Sequence, residues 1–285
     1  MNYKEYEKPE ELRKLQQLSI ELLAELDRVC RDLGIPYFAY GGTAIGAVRH
    51  GGFIPWDDDI DIGFLRADFE RFLSEAPALI GPRFEVVSSR SEEFFPACNA
   101  NLALKETLCV PEEFRDCPYQ YAIGLGLYPF DVLVDDDAEL RSQCRATWLW
   151  GRLKFLCATP CPHVSLTGWR RALVLSCCRV AHGMLRLFRV SPRWIQGRWD
   201  RAAMRFDDCP TGRVADFADR DPRRWSASLE ELFPLVESDF DGVKVFLPHD
   251  YDTLLRRGYG EYMELPPIEE RKNHYPSSLD FGPYR

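Results

Sequence analysis

Four aspartates stand within five residues of this chain, and isoleucine occupies positions 60 and 62 among and after them. Carboxylates this close repel one another, so they are costly to hold unless water or a cation neutralises them. Side chains alternate along a strand, so a strand over Asp57–Phe64 would place Asp57, Asp59 and Asp61 on one face. We predict that this face binds a cation and that the isoleucine face packs in the core.

Two other interpretations compete with a cation-binding strand. The plainer one is a solvated acidic strand at a sheet edge, although exposed strands rarely alternate aspartate with isoleucine between apolar flanks. The second is a calcium loop, because Asp57, Asp59 and Asp61 match its first three ligand positions. That loop needs glycine where the chain has Ile62 and glutamate where it has Asp68. The cation-binding strand is therefore favoured.

A glycine pair lies upstream of the aspartates. Gly41, Gly42 and Thr43 follow an apolar segment, Ile35–Tyr40, that is typical of a buried strand, and they precede a helix predicted over Ala44–Arg49. Thr43 can cap this helix, and backbone N–H groups at a helix start favour a phosphate. Two adjacent glycines are also typical of a simple tight turn. Beside a cation-binding strand, however, they indicate a phosphoryl-transfer site.

The remaining pattern predicts a mixed sheet flanked by helices. Leucine or valine recurs at three- and four-residue steps from Leu12 to Leu33, which is typical of an amphipathic helix, and Gly34 can end it. Further strands are expected between Phe84 and Val134. The order of helix, strand, helix, strand and helix places the chain in the α/β or α+β class.

We expect three parts along the chain. Residues 1–140 form the catalytic core, residues 141–210 form a basic and largely helical insert, and residues 211–285 form a C-terminal segment that completes the core. Within that last segment, a strand is predicted at Val243–Leu247 and a helix at Tyr251–Arg257.

Charge is distributed unevenly along the sequence. The net charge is −9, yet thirteen lysines and arginines between Arg141 and Arg205 stand against one acid, Asp200. With its interleaved tryptophans, this stretch suits an anionic acceptor polymer or an anionic membrane surface. An equally good interpretation is a helical subdomain whose arginines pair with the acidic remainder. It contains no nucleic-acid-reading motif, so nucleic acid is not an expected partner.

We expect a cytoplasmic protein. Residues Met1–Glu11 do not form a secretory signal and no apolar run is long enough to span a membrane. Peripheral contact with the inner face of the membrane through residues 141–205 is consistent with this location. The ten cysteines are scattered and are interpreted as reduced thiols. Cys157, Cys161 and His163 could supply zinc ligands, but their spacing matches no standard finger.

The sequence from Tyr40 to Gly63, YGGTAIGAVRHGGFIPWDDDIDIG, resembles the signature of the LicD family of phosphocholine transferases, which includes the fukutin-related proteins. A second stretch, YGEYMELPP over Tyr259–Pro267, resembles the C-terminal motif of that family, and Phe240-Asp-Gly fits just upstream. The resemblance extends from about Leu12 to His274. It leaves the basic stretch uncovered.

This resemblance implies a nucleotidyltransferase-like fold and metal-dependent transfer of a phospho-alcohol from a CDP-activated donor. The acceptor would be a cell-surface glycan, such as lipopolysaccharide or teichoic acid, or its lipid-linked precursor, and CMP would be released. Choline is the best-known donor alcohol of the family, and ribitol and glycerol are relatives, so CDP-choline is the favoured donor. Two alternatives remain, a nucleotidyltransferase that releases pyrophosphate and a non-catalytic member that binds donor or metal.

The family motif implies a role for each candidate site residue. Asp59 and Asp61 would bind Mg²⁺, or Mn²⁺ in its place, and Asp57 would join them as a catalytic carboxylate. The residues implied to contact donor phosphates or the nucleotide are Gly41, Gly42, Thr43, Arg49, Arg271 and His274. A surface salt bridge is the alternative for Arg49, and a surface pair is the alternative for Arg271 with His274.

The sequence departs from the family at one position. The family carries a further aspartate on a later strand, and Gly126 stands at that position here. Asp131 and Asp135 are nearby carboxylates that could substitute, and we take Asp131 as the catalytic candidate although a structural role is the more common one for such a residue. If the missing carboxylate is a metal ligand or a base, Gly126→Asp should raise the rate.

Overall fold

A mixed sheet of seven strands organises this computed structural model, which describes residues 3–162, 166–209, 211–219 and 221–284. The helices are α1 Pro9–Leu33, α2 Gly41–His50, α3 Arg66–Glu75, α4 Asp137–Ala158, α5 Gly168–Leu187, α6 Pro192–Ala203, α7 Leu229–Leu232 and α8 Tyr251–Tyr259. The strands are β1 Phe38–Ala39, β2 Asp61–Leu65, β3 Phe84–Val87, β4 Ala100–Leu104, β5 Leu108–Pro111, β6 Gly124–Val132, β7 Arg213–Ala215, β8 Ala227–Ser228, β9 Val236–Phe240, β10 Val243–Leu247 and β11 Pro276–Asp280. These elements confirm the predicted mixed α/β class.

The sheet has the order β1-β2-β6-β4-β3, and β7 pairs with the far end of β6 and with β8. Strands β2 and β6 run parallel with Asp61 opposite Gly126, whereas β1 and β4 pair antiparallel with their neighbours. Two two-stranded antiparallel sheets lie outside this sheet, the hairpin of β9 with β10 and the pair formed by the sequence-distant β5 and β11. The register of β2 and β6 is what brings the aspartate segment beside Gly126.

Helix α1 supplies much of the core, as its periodicity predicts. Its leucines and valine on one face are buried, and they pack against β4, β6 and β10. Gly34 ends the helix with a φ of 62°, and the Ile35 N–H donates to the Cys30 carbonyl at 2.8 Å. The predicted glycine cap is therefore confirmed.

Two predicted boundaries near the site are wrong. The predicted strand over Asp57–Phe64 begins only at Asp61, because the Asp57 N–H closes a turn onto the Ile54 carbonyl at 2.9 Å and delays the entry of the chain into the sheet. The strict alternation of Asp57 with Asp59 is therefore lost. Helix α2 begins at Gly41, so Thr43 lies inside its first turn and does not cap it.

The basic stretch contains helices α4, α5 and α6, in keeping with its predicted helical character. Helix α4 packs against α6, and Trp199 of α6 is fully buried between them and the sheet. Helix α5 packs on α4 and has no buried residue. No helix of the described ranges is long and apolar enough to cross a bilayer. His163, one of the three residues with a zinc-like spacing, lies outside the described residues.

A buried ion pair fastens α3 to the sheet. The Arg66 guanidinium donates to both oxygens of Asp131 on β6, from Nε to Oδ1 at 2.6 Å and from Nη2 to Oδ2 at 2.7 Å. The Asp131 side chain has no exposed surface, and Arg66 is nearly buried. Two parallel charge-assisted hydrogen bonds satisfy both groups, which offsets the cost of removing their charges from water.

We predict that Asp131→Asn lowers the free energy of unfolding by about 3–5 kcal/mol, because it leaves the Arg66 guanidinium buried without a counter-charge. Urea unfolding followed by circular dichroism measures the change. Glu75→Gln is the matched control, since it breaks the exposed Arg71–Glu75 pair and should cost about 1 kcal/mol or less. Equal losses in the two variants would contradict a stabilising role for the buried pair.

Candidate active site

The glycine pair at the start of α2 lies directly against the aspartate segment. Gly41 has a φ of +62°, a conformation that other residues resist, and a Cβ built there would come within 3.9 Å of Asp61 Oδ2. A Cβ on Gly42 would come within 2.8 Å of Asp57 Oδ2. Thr43 Oγ1 accepts the Asp61 N–H at 2.8 Å. The structure thus brings the two sequence motifs together.

Four side chains form a cluster with metal-ligating potential. Asp57, Asp58, Asp59 and His274 each offer one atom, and these atoms all lie within 4.8 Å of one another. The His274 Nδ1 is 2.9 Å from Asp59 Oδ2. Among the described residues, this is the group of histidine, cysteine and carboxylate side chains that could hold a metal ion.

Asp58 holds this cluster in place from behind. Its Oδ2 accepts the Tyr6 hydroxyl at 2.7 Å, and its Oδ1 accepts the His274 backbone N–H at 2.7 Å. The carboxylate therefore fastens both the segment before α1 and the segment before β11 to the aspartate motif. Because both of its oxygens are engaged, Asp58 acts as an anchor of the cluster.

The charges of the cluster act strongly on one another. The negative charge of Asp59 raises the pKa of His274 to about 11, so the imidazole is protonated at neutral pH. Burial would raise the pKa of Asp59, but the His274 charge outweighs it and holds that pKa below its ordinary value. Burial and then the Asp59 charge raise the pKa of Asp61 to about 8 and also raise that of Asp57. One imidazolium does not neutralise this many carboxylates, whereas a bound cation would keep them ionised.

A cavity of about 420 Å³ opens beside the cluster. Asp58, Asp59, Asp61 and His274 line one part of its wall. Aromatic side chains line another part, and the group consists of Phe114, Tyr121, Tyr128, Trp148, Phe155, Trp199 and Phe217. The volume lies in the range of small-molecule sites, and such an apolar wall beside convergent charged groups is typical of a ligand pocket.

Comparison with known proteins assigns the family. A family model described as LicD/FKTN/FKRP, nucleotidyltransferase domain, matches residues 34–94. The lipopolysaccharide cholinephosphotransferase LicD of Haemophilus influenzae is 45% identical over 288 residues, covering 93% of this chain and 96% of that protein. The chain belongs to the LicD family. The LicD relatives also include the human and mouse ribitol 5-phosphate transferase FKRP, each 49% identical over 35 residues, or 12% of this chain and 7% of that protein.

Gly126 stands where the family resemblance implies an aspartate, and an added side chain there would meet close neighbours. A Cβ built on Gly126 would lie 2.5 Å from a ring carbon of Tyr128 and 2.8 Å from Asp61 Oδ1. The Tyr128 ring therefore fills the space beside Asp61 into which a side chain at position 126 would project. Gly126→Asp would have to displace one of these side chains before its carboxylate could act, so the expected gain in rate stays a prediction.

Two candidates from the sequence lie apart from the cluster. Asp131 is five residues beyond Gly126 on β6, about 16 Å along the strand, and it is engaged by Arg66. Arg49 donates to the carbonyls of Tyr262 and Glu264. Their contacts favour structural roles over the catalytic and phosphate-binding roles predicted for them.

Two further candidates also make contacts away from the cluster. The Arg271 guanidinium stacks on the Trp56 ring, 4.0 Å from its centroid, which fixes the side chain just upstream of the aspartates. The proposed substitute Asp135 is an exposed residue 3.8 Å from Arg213. Of the two C-terminal residues predicted to contact the donor, the structure brings His274 into the cluster.

Sequence reasoning missed three residues of the cavity and its support. Tyr6 and Tyr128 carry no local pattern, because each matters through a contact that is distant in sequence. Asp219 lines the cavity and follows the buried Asp216, whose carboxylate accepts the Tyr40 hydroxyl at 3.3 Å. The segment Asp216–Asp221 contains three aspartates, and this local density of acidic residues is the sequence signal that could have identified Asp219.

We predict that Gly126→Ala and Gly126→Asp both lower the melting temperature, because even one added carbon must displace Tyr128 or Asp61. Overpacking of this kind typically costs about 1–3 kcal/mol. Differential scanning fluorimetry provides the measurement. Gly197→Ala in α6 is the control, since a Cβ there meets no atom within 4 Å and should leave stability equal or slightly higher. A Gly126→Ala protein whose melting temperature equals that of the wild type would contradict the predicted steric conflict.

Proposed function

We propose that this protein transfers a phospho-alcohol, with phosphocholine as the favoured group, from a CDP-activated donor to a cell-surface glycan or its lipid-linked precursor. CMP is the expected second product. The observation that carries the proposal is the cavity that joins the carboxylate cluster to an aromatic wall. The names of the LicD and FKRP relatives, a cholinephosphotransferase and a ribitol 5-phosphate transferase, support the same reaction class.

Two carboxylates of the cluster, together with Asp61 in the cavity wall, suit a hard cation. Asp57, Asp59 and Asp61 would hold Mg²⁺ or Mn²⁺, for which carboxylate oxygens are the preferred ligands. When bound, the ion would neutralise charge on the donor pyrophosphate as its P–O bond breaks. Burial, followed by the charge of Asp59, raises the pKa of Asp57 and of Asp61, and a bound cation would offset the repulsion between these carboxylates.

The chain itself supplies positive and polar groups around the donor phosphates. The first N–H groups of α2, at Gly41 and Gly42, have no partner within the helix and are suited to phosphate oxygens. The His274 imidazolium adds a full positive charge beside Asp59. These groups orient the phosphate to be transferred and stabilise the charge that accumulates on it.

A base must accept the proton of the acceptor hydroxyl, and Gly126 cannot provide it. Asp219 is a carboxylate in the cavity wall that is separate from the four-residue cluster. We propose that Asp219 takes this proton while the hydroxyl oxygen attacks the phosphorus. The P–O bond to the nucleotide breaks as the new bond forms, and CMP leaves with its phosphate beside His274. A cation held by the aspartates would offset the charge of that phosphate.

The aromatic wall suits the trimethylammonium group of choline. Ring faces attract cations that cannot donate hydrogen bonds, and this is the usual way proteins recognise quaternary ammonium groups. Phe114 stacks on Tyr121 with a centroid distance of 4.8 Å, and Phe155 lies 5.6 Å from Phe114. Trp148 of α4 lines the same cavity. The basic insert therefore contributes to the proposed donor site.

We predict that Asp59→Asn and Asp61→Asn abolish both Mn²⁺ binding and phosphocholine transfer, because amides cannot replace carboxylates as ligands of a hard cation. Asp219→Asn should keep Mn²⁺ binding and lose transfer by about 10²–10⁴-fold, the usual effect of removing a general base. Calorimetry measures Mn²⁺ binding, and chromatography of the products formed from labelled CDP-choline measures transfer.

The control is Asp239→Asn, which changes an exposed aspartate on β9 and should leave both measurements unchanged. Near-normal turnover of Asp59→Asn at saturating magnesium would overturn the metal site. Pyrophosphate as the product, in place of CMP, would instead identify a nucleotidyltransferase.

A second prediction concerns donor choice. Trp148→Leu and Phe155→Leu keep an apolar side chain but remove a ring face, so each should raise KM for CDP-choline about 2- to 30-fold. KM for CDP-glycerol should not change, since glycerol carries no cation. Trp169→Leu, on α5 and outside the cavity wall, is the control in the same soluble assay. Parallel increases for both donors would argue against a choline site here.

A further inference from the structure

Helix α5 has an outer face that no part of the described chain buries. The helix packs on α4, and the His182 Nδ1 lies 2.6 Å from the Leu156 carbonyl oxygen. Not one of its twenty residues is buried. A helix held along a single side in this way leaves most of its surface available to another molecule.

The outer face of α5 carries an apolar stripe that Ser176 interrupts near its middle. Its members recur at three-, four- and seven-residue steps, which places them on one side of the helix. The stripe consists of Trp169, exposed at 72%, Leu173 at 57%, Val180 at 63%, Met184 at 53% and Leu187 at 76%. Apolar side chains aligned over five turns and exposed to this degree mark an interaction surface.

Arginines flank the stripe, and they are available for binding an anion. By helical periodicity, Arg170, Arg179 and Arg186 lie on either side of the stripe, whereas Arg171 lies on the opposite side of the helix. Helix α5 contains no acidic residue. Within the described part of the chain, none of these four arginines forms an ion pair with a carboxylate. Their charges are therefore not neutralised by the acidic remainder of the chain. Such pairing was the competing interpretation of the basic stretch.

We propose that α5 lies in the interface of an anionic lipid bilayer, with its apolar stripe between the acyl chains and its arginines at the phosphate level. An apolar stripe and a cationic border on one helix are the features of helices that bind membranes in the surface plane. Charge complementarity favours anionic lipid over a second copy of this chain, because two such surfaces would oppose arginine with arginine. The proposal does not depend on the proposed reaction.

The position of α5 in the fold would link membrane binding to the position of the cavity. Helix α4, on which α5 packs, contributes Trp148, Gly151 and Phe155 to the cavity wall. Adsorption of α5 would hold the cavity close to the membrane surface. An acceptor that is attached to lipid would then reach the cavity without leaving the bilayer.

Co-sedimentation with vesicles tests the proposal on the full chain. Phosphatidylcholine vesicles with phosphatidylglycerol should pellet the protein at low salt, and vesicles without it should not. Added salt should release the protein, because screening weakens the attraction of exposed charges to the surface. Arg179→Gln with Arg186→Gln should weaken binding about fivefold for each arginine removed. Leu173→Ser with Met184→Ser should also weaken binding at low salt, because it removes apolar surface that would lie between the acyl chains.

Controls separate this surface from general charge and apolarity. Arg71→Gln with Arg83→Gln removes the same net charge outside the insert, and Leu265→Ser removes an apolar side chain that is 60% exposed elsewhere. Both should bind vesicles like the wild type. Helix α5 has no buried residue, so the α5 variants should share the wild-type melting temperature.

Absence of vesicle binding at low salt would overturn the proposal, and so would equal binding by the α5 variants and their controls. A wild-type dimer in solution that Leu173→Ser with Met184→Ser dissociates, without vesicle binding, would also overturn it and identify the stripe as an interface between copies. None of these measurements requires a donor or turnover. They therefore succeed or fail separately from the transferase proposal.

Discussion

The Asp58 carboxylate determines how the candidate site is assembled, because it is where three distant parts of the chain meet. It lies between Asp57 and Asp59 in the cavity wall, and its two oxygens accept hydrogen bonds from the Tyr6 hydroxyl and from the His274 backbone N–H. Burial and the Asp59 charge raise its pKa to about 6, so these two donors are what stabilise its ionised form. The same hydrogen bond that satisfies Asp58 sets His274 beside Asp59. Asp58, a structural anchor, and Asp59, a candidate metal ligand, are thus adjacent in sequence but have different roles.

The sequence predicts the features that depend on neighbouring residues. Helix α1 and its Gly34 cap follow from periodicity and from the conformational freedom of glycine, and the meeting of Gly41 and Gly42 with the aspartates follows from the motif. The sequence does not predict features that depend on distant contacts. The strand starts late at Asp61 because Asp57 turns back onto Ile54. No local pattern shows that Tyr128 fills the space beside Gly126, or that Arg66 engages Asp131.

The packing of the basic insert is also not predictable from its sequence. Its charge and helical character are visible in the sequence, but periodicity does not show which side of each helix meets which neighbour. Helix α4 contacts α5, α6 and the cavity at once, so apolar residues are distributed around it and the pattern of a single buried face is weak. Helix α5 has the clearer stripe, and that stripe points outward. Hydrophobic patterning therefore marks the core in α1 and an external surface in α5.

The segment before α1 and the segment before β11 are joined by two hydrogen bonds between the Lys4 backbone and the Asn273 side chain. The Lys4 N–H donates to Asn273 Oδ1 at 3.0 Å, and Asn273 Nδ2 donates to the Lys4 carbonyl at 2.8 Å. Together with the Tyr6 hydroxyl, these bonds form a clasp around the segment that carries His274. The boundaries that motif matching would draw, from the first long helix onward, exclude half of this clasp. A shortened chain that begins at α1 would keep every aspartate of the signature and still lose what holds the imidazole in register with them.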